Sequence, residues 1–369
     1  MVIEVNHMGK DLSYDIVVVG AGPAGSTTAR FAAEAGASVL VLEKRAQVGV
    51  PVRCGEFMPS IGEMQSMFPG FEGMADLFEV PSDLVSLKLD TTRIYSPKMT
   101  RYDLPFDGYT TDRDRLDQFF ASQAVKAGAE LMTGQKVIGV EQGVVRTEDL
   151  TIKAKVIVGA DGPMSMVAKA VGLPRSKDLC PAVTTQIKGD FEPVCEMYFG
   201  TVAPGGYAWV IPKKGVANVG LGVSSKFAKG TVVDYFDKFI KMKGLIAGKP
   251  DGKVVPMAMP AKRTVAGQVM TVGDAAGQVM AVNGGGIPIA RMAGRVAGTV
   301  AAEHVLKGTP LSNYEQEWRR HLYKPLRTAA RTKVLADLCF GSAWRTETAM
   351  KILGPRRMNN LIRCRPIFP

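Results

Sequence analysis

The sequence has little histidine, no close pair of cysteines and no long uncharged run, and each shortage removes a class of function. Only three histidines occur in 369 residues, His7, His304 and His321, and they are scattered. The five cysteines, Cys54, Cys180, Cys195, Cys339 and Cys364, form no C-x-x-C pair. A structural zinc site is therefore not expected. An odd number leaves at least one thiol free. Cys339 and Cys364 are placed to staple the C-terminal region, but free thiols are the expectation in a reducing cytoplasm. Residues 1–15 hold Glu4 and Asp11 and no apolar run, which argues against a secretion signal. The longest nearly uncharged stretch, 264–290, is interrupted by Asp274 and by glycines, and reads as strand, loop and helix rather than a membrane span. What is plentiful is glycine: 40 residues, dispersed among periodic segments, signalling tight turns and close backbone approaches.

Acidic residues are scarce at one end. The net charge is +11, yet residues 319–369 alone hold twelve Lys/Arg against Asp337 and Glu347, a local excess of ten. The same segment carries Leu, Met, Phe and Trp344, so it is expected to fold as helices. A basic, apolar surface suits anionic lipid headgroups or an acidic redox partner, and equally a solvated helix face. Nucleic acid is not an expected partner, because no binding motif accompanies the charge. The chain is expected in the cytoplasm, peripheral on the inner face of the membrane.

The hydrophobic pattern predicts an α/β fold. Residues 14–19 read as a buried strand, 20–25 as a turn, 26–35 as a helix and 38–42 as a second strand ending at Glu43. A helix is expected over 112–128, short strands around 136–140 and 144–146, strands at 155–158 and 269–272, and a helix over 287–306. Segments 85–110 and 181–256 alternate like strands with Pro and Gly turns. These predict a Rossmann-like, discontinuous nucleotide domain (1–84, 111–180 and 257–310), an inserted β-rich substrate domain (85–110 and 181–256) and a basic helical region (311–369).

Gly20-Ala21-Gly22-Pro23-Ala24-Gly25 matches G-x-G-x-x-G between a strand and a helix, and Glu43 follows eighteen residues after Gly25. That is a complete dinucleotide fingerprint. Gly20 makes the turn, Gly22 admits the pyrophosphate and Gly25 lets helix and strand pack closely. The helix start near Ala24 offers unpaired N–H groups to phosphate, and Glu43 can accept from ribose hydroxyls.

Further motifs follow in order: Asp112-Arg113-x-x-x-Asp117, Gly159-Ala160-Asp161-Gly162, Val272-Gly273-Asp274-Ala275 and Asn283-Gly284-Gly285-Gly286-Ile287. Together they resemble the glutathione-reductase-like flavoproteins, the branch that includes the p-hydroxybenzoate hydroxylases, over residues 14–306. The resemblance implies FAD. It implies that Asp274 meets the ribityl chain, that the helix beginning at Gly286 and Ile287 faces the flavin pyrimidine, and that Arg113 and the backbone near Val137 also contact FAD. Asp161 is as readily an organiser of its own turn.

At the substrate end, Tyr207-Ala208-Trp209-Val210-Ile211-Pro212, seven residues and then Gly220-Leu221-Gly222 resemble the YxWxFP…GxG signature of geranylgeranyl reductases, with Ile211 in place of Phe. Pro51-Val52-Arg53-Cys54-Gly55-Glu56 resembles the PVRCGE loop of the archaeal members. The resemblance implies reduction of the isoprenoid chains of archaeal ether lipids. It makes Tyr207, Trp209, Pro212, Gly220 and Gly222 substrate-site residues, and Cys54, Gly55 and Phe57 cofactor neighbours. An isolated alkene is not electrophilic, so hydride delivery needs a proton as well. Cys54 or an ordered water supplies it, while the Tyr207 and Trp209 rings, two apart on a strand and so on one face, stabilise developing positive charge. With one fingerprint only, electrons are expected from reduced ferredoxin or transiently docked NAD(P)H. Two rival readings remain: a flavin monooxygenase or halogenase, whose WxWxIP motif Ile211 approaches, and a non-enzymatic prenyl carrier resembling GDP-dissociation inhibitors.

Overall fold

In the computed structural model, residues 12–141 and 143–367 are described. His7 and most of the 1–15 stretch read for a secretion signal lie outside the described residues. The run of Val and Ile in Leu12–Val19 is buried at its C-terminal half, as expected of a central strand covered on both faces. It pairs in parallel with Val39–Leu42 on one side and Thr151–Gly159 on the other. Glu130–Met132 and Val269–Thr271 extend the parallel sheet at its two sides. This is the expected Rossmann-like sheet.

Two helices set the site on this sheet. Pro23–Glu34 follows the first strand, and Ile287–Lys307 packs against it. The approach is close because of Gly294 and Gly298: a Cβ there would lie 2.6 Å from the Ala24 carbonyl oxygen and 2.3 Å from that of Thr28. The small-xxx-small spacing of these glycines was in the sequence, but the expected element map did not use it.

The second sheet runs Asp251–Pro256, Leu179–Lys188, Val216–Gly222, Tyr207–Lys213, Cys195–Tyr198, Leu87–Tyr95, Arg101–Thr110, Phe57–Pro59. Its last strand corrects the expected segment map. Phe57–Pro59 lies within 1–84 yet pairs with Arg101–Thr110 in the β-rich sheet. Three residues are too few to show a period. The β-rich insertion also contains a helix that the strand reading passed over, Val232–Lys243. Its signals were present: a Thr231/Asp234 capping box, Phe236, Phe239 and Ile240 on one buried face, and Gly244 closing it with φ +63°. Each sheet carries a buried cluster of its own, and the largest cluster joins the nucleotide sheet and its helices to Met58, Ile94, Leu104 and Phe106 of the second sheet and to the C-terminal helices.

The basic end is helical, as expected: Asn313–Trp318, a π turn Arg319–Tyr323, Lys324–Phe340, and Ala343–Ile362 broken at Gly354. It is not all surface. Lys333 is buried between Asp178 and Asp337, at 3.3 and 2.9 Å. Arg363 is buried on Glu63, with its Nε donating at 2.8 Å. Buried cations require such partners, so these two of the twelve charges clamp the helices to the body instead of adding to its outer field. All five cysteines are free thiols, Cys339 and Cys364 included. Among the described residues, no helix is long and apolar enough to cross a membrane.

Candidate active site

A cavity of about 830 Å³ opens between the two sheets and is lined by residues of both. At the nucleotide end, Gly20 sits at φ +102°, a conformation glycine adopts without a Cβ penalty, where the first strand turns into the helix. A Cβ on Gly25 would lie 1.9 Å from the Gly20 carbonyl oxygen, so the helix start and the turn touch backbone to backbone. Gly25 itself does not line the cavity, whereas Gly20, Gly22 and Ala24 do. A Cβ on Gly22 would meet nothing within 4 Å. That side of the turn is open space.

Glu43 holds this loop. Its carboxylate accepts the Ala21 N–H at 2.9 Å and the Arg45 N–H at 3.0 Å, and it borders the cavity. Each oxygen keeps acceptor capacity for a hydroxyl. The loop through Val137 is anchored beside it, since Gln135 N–H donates to the Glu43 carbonyl at 2.8 Å. Asp161 accepts the N–H groups of Met166 and Val167 at 2.7 and 3.1 Å, so it does organise its own turn. Its other oxygen is buried without a partner and the residue also borders the cavity.

Both helix N-termini face this space without a capping side chain: Gly22 precedes Pro23–Glu34, and Gly286 precedes Ile287–Lys307. Uncapped N–H groups and the positive dipole ends suit an anionic or electron-rich group. Asp274, Gly286 and Ile287 stand together at the second terminus. An open glycine turn, two uncapped helix starts and an orphan carboxylate oxygen are what an extended dinucleotide such as FAD fits. Arg113 borders the same space, bound through two nitrogens to Asp117. Burial opposes its charge, but Asp117 outweighs burial and holds the guanidinium charged.

The other end is a side-chain wall. Tyr207 and Trp209 share one face of their strand, with ring centroids 5.8 Å apart. Burial pushes the Tyr207 phenol well above its ordinary range, so it stays protonated and donates to the Asn283 carbonyl in the glycine turn. Cys54, Gly55 and Phe57 line the cavity against this wall. A Cβ at Gly55 would be 3.0 Å from Ile211 Cδ1, so Ile211 fills the floor beneath the Cys54 loop. Gly222 borders the cavity opposite Tyr207. Pro212 and Gly220, expected as substrate contacts, do not line it. Pro212 is a buried strand residue paired with Ala217, and Gly220 lies directly opposite Trp209. Strand alternation turns Pro212 to the far face, and a bare glycine is room for its neighbour rather than a contact.

Sequence reasoning missed the buried polar support of this wall. Glu56 is 1% exposed and its carboxylate accepts from Lys213 at 3.0 Å, from Asn218 at 2.8 Å, from the Arg113 N–H at 3.0 Å and from Gln186. Lys213 also reaches Asp112 at 2.6 Å. Burial opposes the Lys213 charge, but the two carboxylates outweigh it. The available signal was a polar residue inside an apolar strand, as Asn218 is in Val-Ala-Asn-Val-Gly-Leu-Gly. Ile362, from the C-terminal helix, also borders the cavity, and its carbonyl accepts from Asn283 at 3.1 Å. No periodicity could have brought it there.

Residues 180–259 match the geranylgeranyl reductase catalytic domain, and residues 18–64 match the NAD(P)-binding Rossmann-like domain. The chain is 36% identical to digeranylgeranylglycerophospholipid reductase 1 of Methanothermobacter thermautotrophicus, over 83% of this chain and 81% of that one. It is 34% identical to the digeranylgeranylglycerophospholipid reductase of Methanocaldococcus jannaschii, over 85% and 84%. Among solved structures, a geranylgeranyl bacteriochlorophyll reductase-like protein of Thermoplasma acidophilum superposes with a TM-score of 0.82 at 27% identity, covering 93% of this chain and 92% of that one. A flavin-dependent brominase superposes with a TM-score of 0.71 at 16% identity, covering 95% and 94%, which shows a common fold alone.

Proposed function

The chain belongs to the digeranylgeranylglycerophospholipid reductase family, and from that premise we propose how its cavity reduces the prenyl chains of archaeal membrane lipid precursors. The chain is an FAD-dependent oxidoreductase acting on carbon–carbon double bonds. One observation carries the reading: a single cavity joins a glycine-built nucleotide end to a wall of Cys54, Tyr207 and Trp209. When bound, FAD supplies a hydride to one alkene carbon.

The residues of the chain do the rest. The apolar wall, with Phe57, Met197 and Ile362, binds the prenyl chain and excludes water. The rings of Tyr207 and Trp209, which both border the cavity, stabilise charge developing at the tertiary carbon. Cys54 Sγ holds the proton that balances the hydride, and Asp117 holds the Arg113 guanidinium beside that sulfur. Reduced ferredoxin or NAD(P)H restores the electrons.

A membrane contact completes the reading. Arg331, Val334, Leu335 and Leu338 fall at i, i+3, i+4 and i+7 on Lys324–Phe340 and are exposed, as are Trp344 and Ile352 on the next helix. Leu338 and Trp344 are 69% and 68% exposed. Flanked by Arg345, Lys351 and Arg356, this apolar set suits the headgroup boundary of an anionic bilayer, from which the substrate comes.

Family membership disfavours the monooxygenase, halogenase and carrier readings. The test is mass spectrometry of prenylated glycerophospholipids incubated anaerobically with the reduced holoenzyme. Mass gains in steps of two hydrogens are expected. Oxygenated or halogenated products formed only in air, or a protein that copurifies without flavin, would overturn the reading.

A further inference from the structure

The Cys54 loop and the Trp209 strand come from distant parts of the chain, yet one side chain is bonded to both. Asn218, on Val216–Gly222, is fully buried. Ile211 is its direct cross-strand partner, while Trp209 stands opposite Gly220. Asn218 and Trp209 are thus diagonal neighbours on one face of the pair. Gly220 leaves that face bare: a Cβ there would lie 2.5 Å from Trp209 Cζ2. The indole lies over the glycine and its N–H donates to Asn218 Oδ1 at 2.8 Å. The Thr184 hydroxyl donates to the same oxygen at 2.6 Å. From the other end of the amide, Nδ2 donates to the Cys54 carbonyl at 2.7 Å and to Glu56 Oε2 at 2.8 Å.

All four hydrogen-bonding positions of the amide are in use. Its orientation is fixed by chemistry. An indole N–H only donates, and a backbone carbonyl and a carboxylate only accept, so oxygen must face Trp209 and nitrogen must face the loop. No other side chain of this size offers two acceptor and two donor positions in one plane. Aspartate would set an oxygen against the Cys54 carbonyl and the Glu56 carboxylate. Leucine would leave all four partners without this bond. Glu56 would still keep Lys213, Gln186 and the Arg113 N–H. The groups most released are the Cys54 carbonyl and the indole.

We infer that Asn218 is a positioning residue: it fixes the Cys54 loop and the Trp209 ring to one amide, and so sets the separation of thiol and aromatic wall across the cavity. It touches neither substrate nor cofactor on this reading, since it does not line the cavity. The inference rests on the assignment of Cys54 and Trp209 to the reacting wall. It adds the element that makes them one unit.

The test uses the flavin-loaded enzyme and its Asn218→Leu, Asn218→Asp, Cys54→Ala and Cys54→Ala/Asn218→Leu variants. The first readout is the rate of Cys54 alkylation by iodoacetamide, followed by peptide mass spectrometry and independent of turnover. A loop freed from its amide is expected to react about 10-fold faster in both single Asn218 variants. The second readout is steady-state reduction of a geranylgeranyl substrate. Here kcat is expected to fall about 10-fold with KM little changed, and the double variant to lose less than the product of the two single losses, because Asn218 acts in part through that loop. Alkylation at the wild-type rate in both variants overturns the inference whatever happens to kcat. So does a double variant whose losses simply multiply. Where Asn218→Leu does not fold, the smaller Asn218→Ser takes its place with the same expectations. A wild-type enzyme that reduces no prenyl chain sinks the functional reading, while the alkylation rates still decide the positioning role.

Discussion

The two ends of the cavity are built by different means. The nucleotide end is made of backbone: glycines at 20, 22 and 25, two uncapped helix starts, and a carboxylate that holds its own loop. The substrate end is made of side chains drawn from residues 54–57, 207–211, 218 and 362, joined by buried hydrogen bonds. The first kind of site is local and tolerates little change at its glycines. The second is long-range and can lose chemistry while the fold and cofactor survive. The contrast teaches that cofactor binding and turnover should be separable by mutation.

Breaking the backbone end gives the largest expected effect. Gly25→Val places carbon against the Gly20 carbonyl, since a Cβ there would lie 1.9 Å from its oxygen. Overpacking of this kind is expected to cost about 3 kcal/mol or more and to abolish flavin binding, checked by absorbance of the purified protein. Breaking the side-chain end should do the converse. Trp209→Ala and Cys54→Ala are each expected to keep FAD while turnover falls about 100-fold, measured by single-turnover reoxidation of the reduced flavin. An unchanged Cys54→Ala rate would assign the proton to ordered water.

The clamp between the C-terminal helices and the body sharpens the contrast, because it should affect stability without chemistry. Lys333→Met leaves Asp178 and Asp337 with Lys226 but without their buried cation, and is expected to cost about 1–2 kcal/mol, read from urea unfolding. Burial opposes ionisation of Asp178, but Lys226 and Lys333 outweigh it and hold its carboxyl below the ordinary range. A depressed carboxyl contributes stability above its unfolded pKa, about 4, and loses it as pH falls through the folded value. The difference between wild type and Lys333→Met should therefore narrow below about pH 4.

Smallest is the surface effect. Each of Arg331, Arg345 and Arg356 changed to Gln is expected to weaken binding to anionic vesicles by about 1 kcal/mol, and less at high salt. Salt-insensitive binding would remove the electrostatic part of the membrane contact.

The pattern of what was legible follows the same division. The parallel sheet, the fingerprint and the helix at Ile287 were readable because each is written in consecutive residues with a period or a fixed spacing. Tyr207 and Trp209 were readable as one face for the same reason. Gly220 does not line the cavity, and its motif position says that a glycine is needed, not that an indole lies over it. Asn218, Ile362 and the strand Phe57–Pro59 were not readable, since Cys54, Asn283 and Thr110, to which they are joined, lie scores of residues away and a single position carries no period. Lys333 and Arg363 counted as surface charge in the sequence for a similar reason: burial of a cation depends on Asp178, Asp337 and Glu63 arriving from elsewhere.

The central claim is that a prenyl chain lies along the Cys54–Trp209 wall of the same cavity that holds the flavin. A geranylgeranyl glycerophospholipid bearing a photoreactive diazirine near its reducible bonds, irradiated with the reduced holoenzyme and mapped by peptide mass spectrometry, tests it most directly. The account predicts adducts on Phe57, Met197, Trp209 and Ile362 that unlabelled substrate suppresses. Adducts confined to the exposed Val334–Leu338 stripe, with none in the cavity, would contradict it.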